Sequence, residues 1–509
     1  MARPSFHASA TRPYPPGEYP VVVVGSGPGG LQLAYGLNRY GIRHAVISAD
    51  PGPGGMFRRW PLFQRLLSWT KPHAAGGPGS RPFERCDWNS LIAEEPEARS
   101  LAARHLDGTS HYPTRAAMEA NLAAFAERTG LAVRYGCRWL QTRREEDADG
   151  ARFVLETSDG DYACRDAVFA VGVADPWNPD IPGIELARHY ADVGPAERYA
   201  DRRVVILGKQ NSGFEIASGL LPWARSILLS SPSPARLSVV VNSLVGVRAR
   251  YILPYEDYVL GGGVGVLDAA TERIERRGDA LVVHFRMTGS NDAVAVEVDD
   301  VISATGFTTP LRDLPKLGLT TFGQSGLPAQ TRWWESTTVP GLHFAGTITQ
   351  GVRGLAKFGI PPNSGAVQGH RYNALILARR LASKRFGIEI PHPRLAPDAV
   401  VPFLLDEATR GPELWHQKGF LARVLTVGAD EGIRDAGIIP LAAFLDEEER
   451  DGIALVLEAD GSGAMYPVAY VRAGGHLTET PLPPDAMLNY ESGAHRRALG
   501  AALQPLGIG

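Results

Sequence analysis

The chain has 509 residues, a formal net charge of −3 and an isoelectric point near 6.5, with no basic block or aromatic-basic stripe, which argues against a nucleic-acid binder. No stretch approaches the ~18 consecutive apolar residues of a membrane span, and the polar, proline-rich start lacks the apolar core of a secretory signal, so a cytoplasmic protein is expected. The length predicts about three domains.

Residues 21–24 are four valines, a β-branched run suited to a buried parallel strand. They lead into Gly25-Ser26-Gly27-Pro28-Gly29-Gly30. Here Gly25 serves the tight turn, Gly27 the close approach of a pyrophosphate and Gly30 close helix packing, while Pro28 and Gly29 open the helix whose amides meet the phosphates. Leu33, Leu37 and Tyr40 recur at helical spacing, so the helix lies back on the sheet before a second strand at 44–48. The acidic residue expected near the end of that strand is replaced by Ser48; the nearest carboxylate, Asp50, is the candidate for an adenosine ribose.

A second strand, loop and helix follow at 204–221. The loop reads Gly208-Lys209-Gln210-Asn211-Ser212-Gly213, and Phe214, Ala217, Leu220 and Leu221 give the helix an apolar face. Gln210 stands at the middle glycine, where a Cβ would crowd a pyrophosphate. Either the dinucleotide sits differently, with Asn211 and Ser212 supplying polar contacts, or this half is a scaffold that has lost its ligand. Glu215 belongs to the same candidate site, and Arg236 is either the partner of a 2′-phosphate or a surface charge.

Two strand-like segments, 166–172 and 300–307, end in small residues that let a crossover pass close to a dinucleotide; Gly172, Thr305 and Gly306 are their candidate contacts, joined by Trp139 and by Gly346 in a short strand and turn at 341–347. Proline-rich stretches at 175–182 and 308–315 read as the paired hinges of a nested domain. The expected fold is α/β, two nested Rossmann-like dinucleotide-binding domains in three layers plus a C-terminal α+β extension. Its boundaries are 1–195 with 306–390 for the first domain, 196–305 for the second and 391–509 for the extension. A helix at 366–381 presents its N-terminal dipole to an electron-rich ring. Alternation at 453–458 and 465–472 around Asp460-Gly461-Ser462-Gly463 predicts a hairpin in the extension, which either caps the site or pairs subunits in a homo-oligomer.

Cys86, Cys137 and Cys164 are scattered singly, so a dithiol relay is not expected, and the thirteen histidines show no metal-ligand spacing. Two nucleotide loops on one chain suggest a flavin and the nicotinamide that reduces it.

The order GSGPGG, Gly54-Gly55-Met56-Phe57, GKQNSGFE, ATGF at 304–307 and GLHFAG resembles the flavin-containing monooxygenases and their N-hydroxylating relatives across 19–385. Leu66-Leu67-Ser68-Trp69-Thr70-Lys71-Pro72-His73, Asp87-Trp88-Asn89-Ser90-Leu91 and Tyr112-Pro113 are similar to the FAD-dependent oxidoreductase domain proteins of animals. The resemblance implies that NADPH reduces FAD, that dioxygen adds at the flavin C4a position, and that the resulting hydroperoxide oxygenates a small polar molecule. N-hydroxylation of an amine or amino acid leads, and Baeyer–Villiger or sulfur oxygenation would look alike. A reductase without oxygenation and a non-catalytic flavoprotein remain the other readings. The family's signature after Pro-x-Ile-Pro-Gly is shortened here, and the counterpart of an active-site asparagine is Thr70, which donates one hydrogen bond where an amide donates two.

Gly55, Met56, Phe57 and Trp69 are candidate flavin neighbours, with Trp60 as a second wall. Thr70, Lys71, Asn211 and Arg353 are the candidate catalytic groups. Arg248 and Arg250, in a segment inserted after the second loop, either suit a substrate carboxylate, with His73 beside them, or are solvated loop charges.

Overall fold

The valine run Val21–Val24 is enclosed on both faces because it is the middle strand of a parallel sheet. Five strands lie in the order Leu342–Phe344, Asp166–Phe169, Val21–Val24, His44–Ser48, Arg134–Tyr135. The computed structural model describes residues 12–58, 65–147, 150–238, 246–311, 313–428 and 430–508. Trp60 and residues 242–245 of the arginine segment lie outside them.

One face of this sheet carries the helix Pro28–Arg39, which packs on the long helix Val367–Phe386 through a glycine seam: a Cβ on Gly36 would lie 2.7 Å from that of Ala378. The opposite face is covered by a four-stranded sheet, Gly17–Glu18, Gly160–Cys164, Gly150–Thr157 and Trp139–Asp147, whose Phe153, Leu155 and Tyr162 pack against Val22, Ile47 and Phe169. Helices, parallel sheet and antiparallel sheet make three layers, as expected.

A second sheet repeats the plan. Arg188–His189, Asp300–Ser303, Arg203–Leu207, Ser226–Ser231 and Val264–Arg277 run parallel, and the last of these continues into an antiparallel meander with Ala280–Met287 and Ala293–Val298. The helix Asn211–Leu220 lies on one face, its Phe214, Ile216, Ala217 and Leu220 buried. The chain passes between the two sheets as a ribbon in which Asp175–Pro176 pairs antiparallel with Phe307–Thr308. The first crossing therefore falls near 175 rather than at 195, because Arg188–His189 already belongs to the second sheet.

The expected hairpin is present: Gly452–Ala459 pairs with Met465–Ala473 inside a six-stranded antiparallel sheet. This sheet has no core of its own on the side facing the first helices. Leu404, Leu425 and Leu455 share one apolar cluster with Leu33, Leu37 and Leu377. At the edge of that contact Arg81 reaches across to Glu407 and Glu413, each at 2.7 Å. Among the described residues no helix is long and apolar enough to cross a membrane.

Because the cluster is continuous, Leu404→Ala should remove about 2–5 kcal/mol from one cooperative unfolding transition that includes the first sheet. Calorimetry that instead resolved a separate early transition for residues 391–509 would contradict this coupling.

Candidate functional site

The two glycine loops prove to be built alike, atom for atom where it matters. A Cβ on Gly25 would lie 2.5 Å from the carbonyl oxygen of Ala170, and one on Gly208 would lie 2.5 Å from that of Ala304. Both glycines have positive φ, 113° and 121°. Gly30 and Gly213 then press on the turn itself, their would-be Cβ atoms 2.0 and 2.1 Å from the carbonyl oxygens of Gly25 and Gly208. Such contacts are open only to glycine.

Gly27 differs in kind. A Cβ there would meet only the Cα of Gly55, 4.0 Å away, so the space in front of Gly27 is a trough facing Gly54, Gly55 and the short turn of Met56 and Phe57. The helix it caps has no side-chain cap and no acidic residue in its first turn, which leaves amides and the positive dipole end for an anion. Gly172 faces open space, while Gly29 is pressed onto Gly346, a would-be Cβ lying 2.2 Å from its Cα. These residues fit a bound FAD pyrophosphate, with Pro28 at the first turn. Ser48 is withdrawn: its hydroxyl accepts from Ser26 at 2.8 Å and from the Asp50 amide at 3.2 Å, so the nearby carboxylate is that of half-buried Asp50.

At the second loop Gln210 takes an extended backbone, φ −113° and ψ −164°, with its side chain exposed, so the residue costs no strain. The helix beyond it also lacks a side-chain cap and first-turn acids, and Ser212 lies in its first turn. Lys209 requires a correction. Its side chain is buried and its ammonium donates to the carboxylate of Asp268 and to the carbonyl of Leu267, so only its backbone can face a phosphate. Arg236 is exposed, and its carbonyl accepts from the Val247 amide at 2.6 Å. Thr305 gives its hydroxyl to the Trp177 carbonyl at 2.6 Å, and Gly306 accepts from the Trp177 amide, so both hold the crossover ribbon.

Three strings separated in sequence meet between the sheets. The loop at 66–73 is stitched on one side by Leu66 to the Pro113 carbonyl and Thr70 to that of His111, and on the other by Lys71 to Cys86 and by Trp88 to Trp69. Trp69 lies against Trp88 with ring centres 3.6 Å apart and meets Tyr112 edge-on at 6.4 Å. Thr70 is fully buried; its hydroxyl donates to Asp87 at 2.9 Å and accepts from the Asn89 amide at 3.1 Å. Its one donor is thus committed, which corrects the expectation that it donates to a flavin-bound group. Lys71, His73 and Arg353 are exposed, with the Lys71 ammonium 5.5 Å from the Trp69 ring. Trp139 is a packing residue: its indole donates to Thr142 and its ring lies 4.8 Å from that of Phe169.

The inserted arginines close onto this loop. Asn211 accepts from the Arg248 amide at 3.2 Å, Arg250 lies over the Tyr112 ring at 4.9 Å, and the Tyr251 hydroxyl donates to the Arg65 carbonyl at 3.3 Å. The Nε atoms of both arginines are buried without a partner. Burial lowers the Arg248 pKa. Beneath them Glu215 accepts from the Tyr190 hydroxyl at 3.2 Å, and burial pushes its carboxyl up to about 8. The sequence singled out Glu215 but not Tyr190 or Tyr251 as its surroundings, since only the fold brings them together.

Two measurements test this site. Gly27→Val fills the trough with its Cβ no closer than 4.0 Å to other backbone, so the protein should fold with an unchanged circular dichroism spectrum and lose its yellow colour; Gly29→Ala, which strikes Gly346, should lose both. Glu215 binds its proton more tightly folded than unfolded, so it lowers stability as pH rises from about 4.5 to about 8. Glu215→Gln should gain stability relative to the parent across that window, by a few kcal/mol at most; parallel melting curves from pH 5 to 9 would refute the assignment.

Residues 22–346 match the family model described as pyridine nucleotide-disulphide oxidoreductase. The chain is 29% identical over 399 residues to mouse FAD-dependent oxidoreductase domain-containing protein 2, covering 72% of this chain and 58% of the relative, and 28% identical over 204 residues to the bacilliredoxin reductase Bdr of Bacillus subtilis, covering 39% and 58%. It spans less than two thirds of either relative's length. In fold it is similar to the bacillithiol disulfide reductase of Staphylococcus aureus, with a TM-score of 0.56 at 16% identity, 72% of this chain and 99% of that one. A flavin-containing monooxygenase of Stenotrophomonas maltophilia gives 0.53 at 21%, with 72% and 98% covered. With two matching glycine loops on two parallel sheets, the chain belongs to the pyridine nucleotide-disulphide oxidoreductase family.

Proposed function

We propose that the protein is an FAD- and NADPH-dependent monooxygenase that oxygenates a small polar molecule, first an amine or amino acid to its N-hydroxy product. The observation that carries this reading is the pair Arg248 and Arg250, each with a buried, unpartnered Nε, closing over Tyr112 beside the 66–73 loop and tied through Asn211 to the nicotinamide-side glycine loop. A guanidinium whose Nε is buried without a partner suits a carboxylate. Fold likeness to an ornithine N-hydroxylase of Kutzneria, TM-score 0.53 at 17% identity, accords with it. In this reading the first sheet, with the chain up to about 175 and again from about 307 to 390, holds FAD, and the residues between hold NADPH. The flavin, when bound, supplies the redox and dioxygen chemistry; the chain's own groups bind the substrate, orient it and exclude water. The three free cysteines accord with a reducing, cytoplasmic setting.

A second reading, a reductase without oxygenation, is favoured by the commitment of Thr70 to Asp87, which leaves no hydroxyl donor at that position. The names of the Bacillus subtilis relative and of the ferredoxin–NADP reductase of Saccharopolyspora erythraea, 28% identical over 308 residues, 60% of this chain and 78% of that one, point the same way. A dithiol relay is not the form it would take, since Cys137 and Cys164 are buried and burial raises their thiol pKa values.

The two are separated by the ratio of hydrogen peroxide released to NADPH consumed across a panel of amines and amino acids. An oxygenase lowers that ratio with its substrate, and Arg248→Ala should raise the substrate KM by about 10- to 100-fold, 1.4–2.8 kcal/mol, with NADPH oxidation unchanged. A ratio of one with every compound would count against oxygenation of amines and amino acids and favour the reductase.

A further inference from the structure

A cavity of about 170 Å³ lies away from both glycine loops, between the segment 79–100 and the long helix Val367–Phe386. Its volume is that of roughly five or six liquid waters. Leu91, Ile92 and Ala93 supply an apolar wall, and the polar lining carries both signs of charge.

On the negative side stands Asp87, only 1% exposed. Its Oδ1 accepts from the Thr70 hydroxyl and from the amides of Asn89 and Ser90, while Oδ2 is buried with no partner. Glu84 stands beside it, accepting from the Tyr372 hydroxyl at 2.8 Å. On the positive side Arg371 is fully buried. Its terminal nitrogens donate to the carbonyls of Glu84, Asp87 and Ser90 and to the Tyr372 hydroxyl, and its Nε has no partner. Arg99 donates to the carbonyls of Ala93 and Glu94 and, at 3.5 Å, to that of Gly79, and among the described residues has no carboxylate partner. Arg81, by contrast, is spent on Glu407 and Glu413. Ser100 holds a left-handed backbone, φ 50°, that is costly for a residue other than glycine, and its hydroxyl oxygen accepts from the Gly79 amide.

Buried polar groups without partners call for an explanation, and here two of opposite sign line one hollow. A lone anion would leave Asp87 facing it; a lone cation would face Arg371 and Arg99. We propose that the cavity binds a small aliphatic zwitterion of the amino-acid class, its ammonium against Asp87 and Glu84, its carboxylate against Arg99 and Ser100, and its short stem along Leu91, Ile92 and Ala93. This site is separate from the Arg248 and Arg250 site and does not depend on the oxygenation reading. Asp87 joins it to the 66–73 loop, since the carboxylate that would meet the ammonium also holds Thr70.

The test is calorimetric titration of the full-length, FAD-loaded protein with L-alanine, β-alanine and γ-aminobutyrate, against propionate and propylamine as single-charge controls. At least one zwitterion should bind saturably in the micromolar to millimolar range and at least about tenfold more tightly than either control. Arg99→Ala should weaken that binding by about tenfold or more and Arg99→Lys should restore part of it, with flavin content unchanged in both. Arg99 serves because Asp87 and Arg371 also hold the fold. Propionate or propylamine binding as well as the zwitterions, no saturable binding by any of them, or an affinity untouched by Arg99→Ala would each overturn the assignment.

Discussion

The architecture depends on carbonyl oxygens occupying the places where side chains would begin. Ala170 reaches into the turn at Gly25 and Ala304 into the turn at Gly208, and in each loop a second glycine then closes on the first. These contacts bring a returning strand against the loop of its own sheet, so that the loop, the helix behind it and the crossover ribbon form one rigid corner.

Glycine spacing made the corners readable from the chain, since the turn and the close approach dictate residue type directly. Buried runs such as Val21–Val24, the three-layer plan and the hairpin at 452–473 were legible for the same reason: each is a local pattern. The 66–73 loop was legible only as a likeness. What it touches is set by hydrogen bonds to residues 86–88 and 111–113, which no periodicity encodes. Lys209 shows the opposite hazard. Beside a phosphate loop a lysine reads as a phosphate ligand, yet a carboxylate 59 residues later, Asp268, takes the charge into the protein. Thr70 is similar, its hydroxyl claimed by an aspartate that sequence order does not place nearby.

Charge burial is concentrated where the C-terminal unit meets the first sheet's helices. Arg371, Glu84, Tyr372 and His416 lie between the long helix, the 79–100 segment and the helix Pro412–His416, and burial holds the His416 imidazole neutral. Removing one member strands its partners without water, which is more damaging than the net worth of any single contact. The extension is therefore bound to the body by an apolar cluster at its centre and by polar groups at its margin, the arrangement of a fused subunit interface rather than of a tethered domain.

The two connections between the sheets are hydrogen-bonded to each other, Asp175–Pro176 to Phe307–Thr308, with Trp177 and Thr305 adding a second tie. Two independent tethers would let the inserted unit tilt freely about either one. A paired ribbon bends stiffly and twists easily, so reorientation of one nucleotide fold over the other reduces to torsion about a single axis. Arg250, lying over the Tyr112 ring, adds a tie between the two folds away from that ribbon.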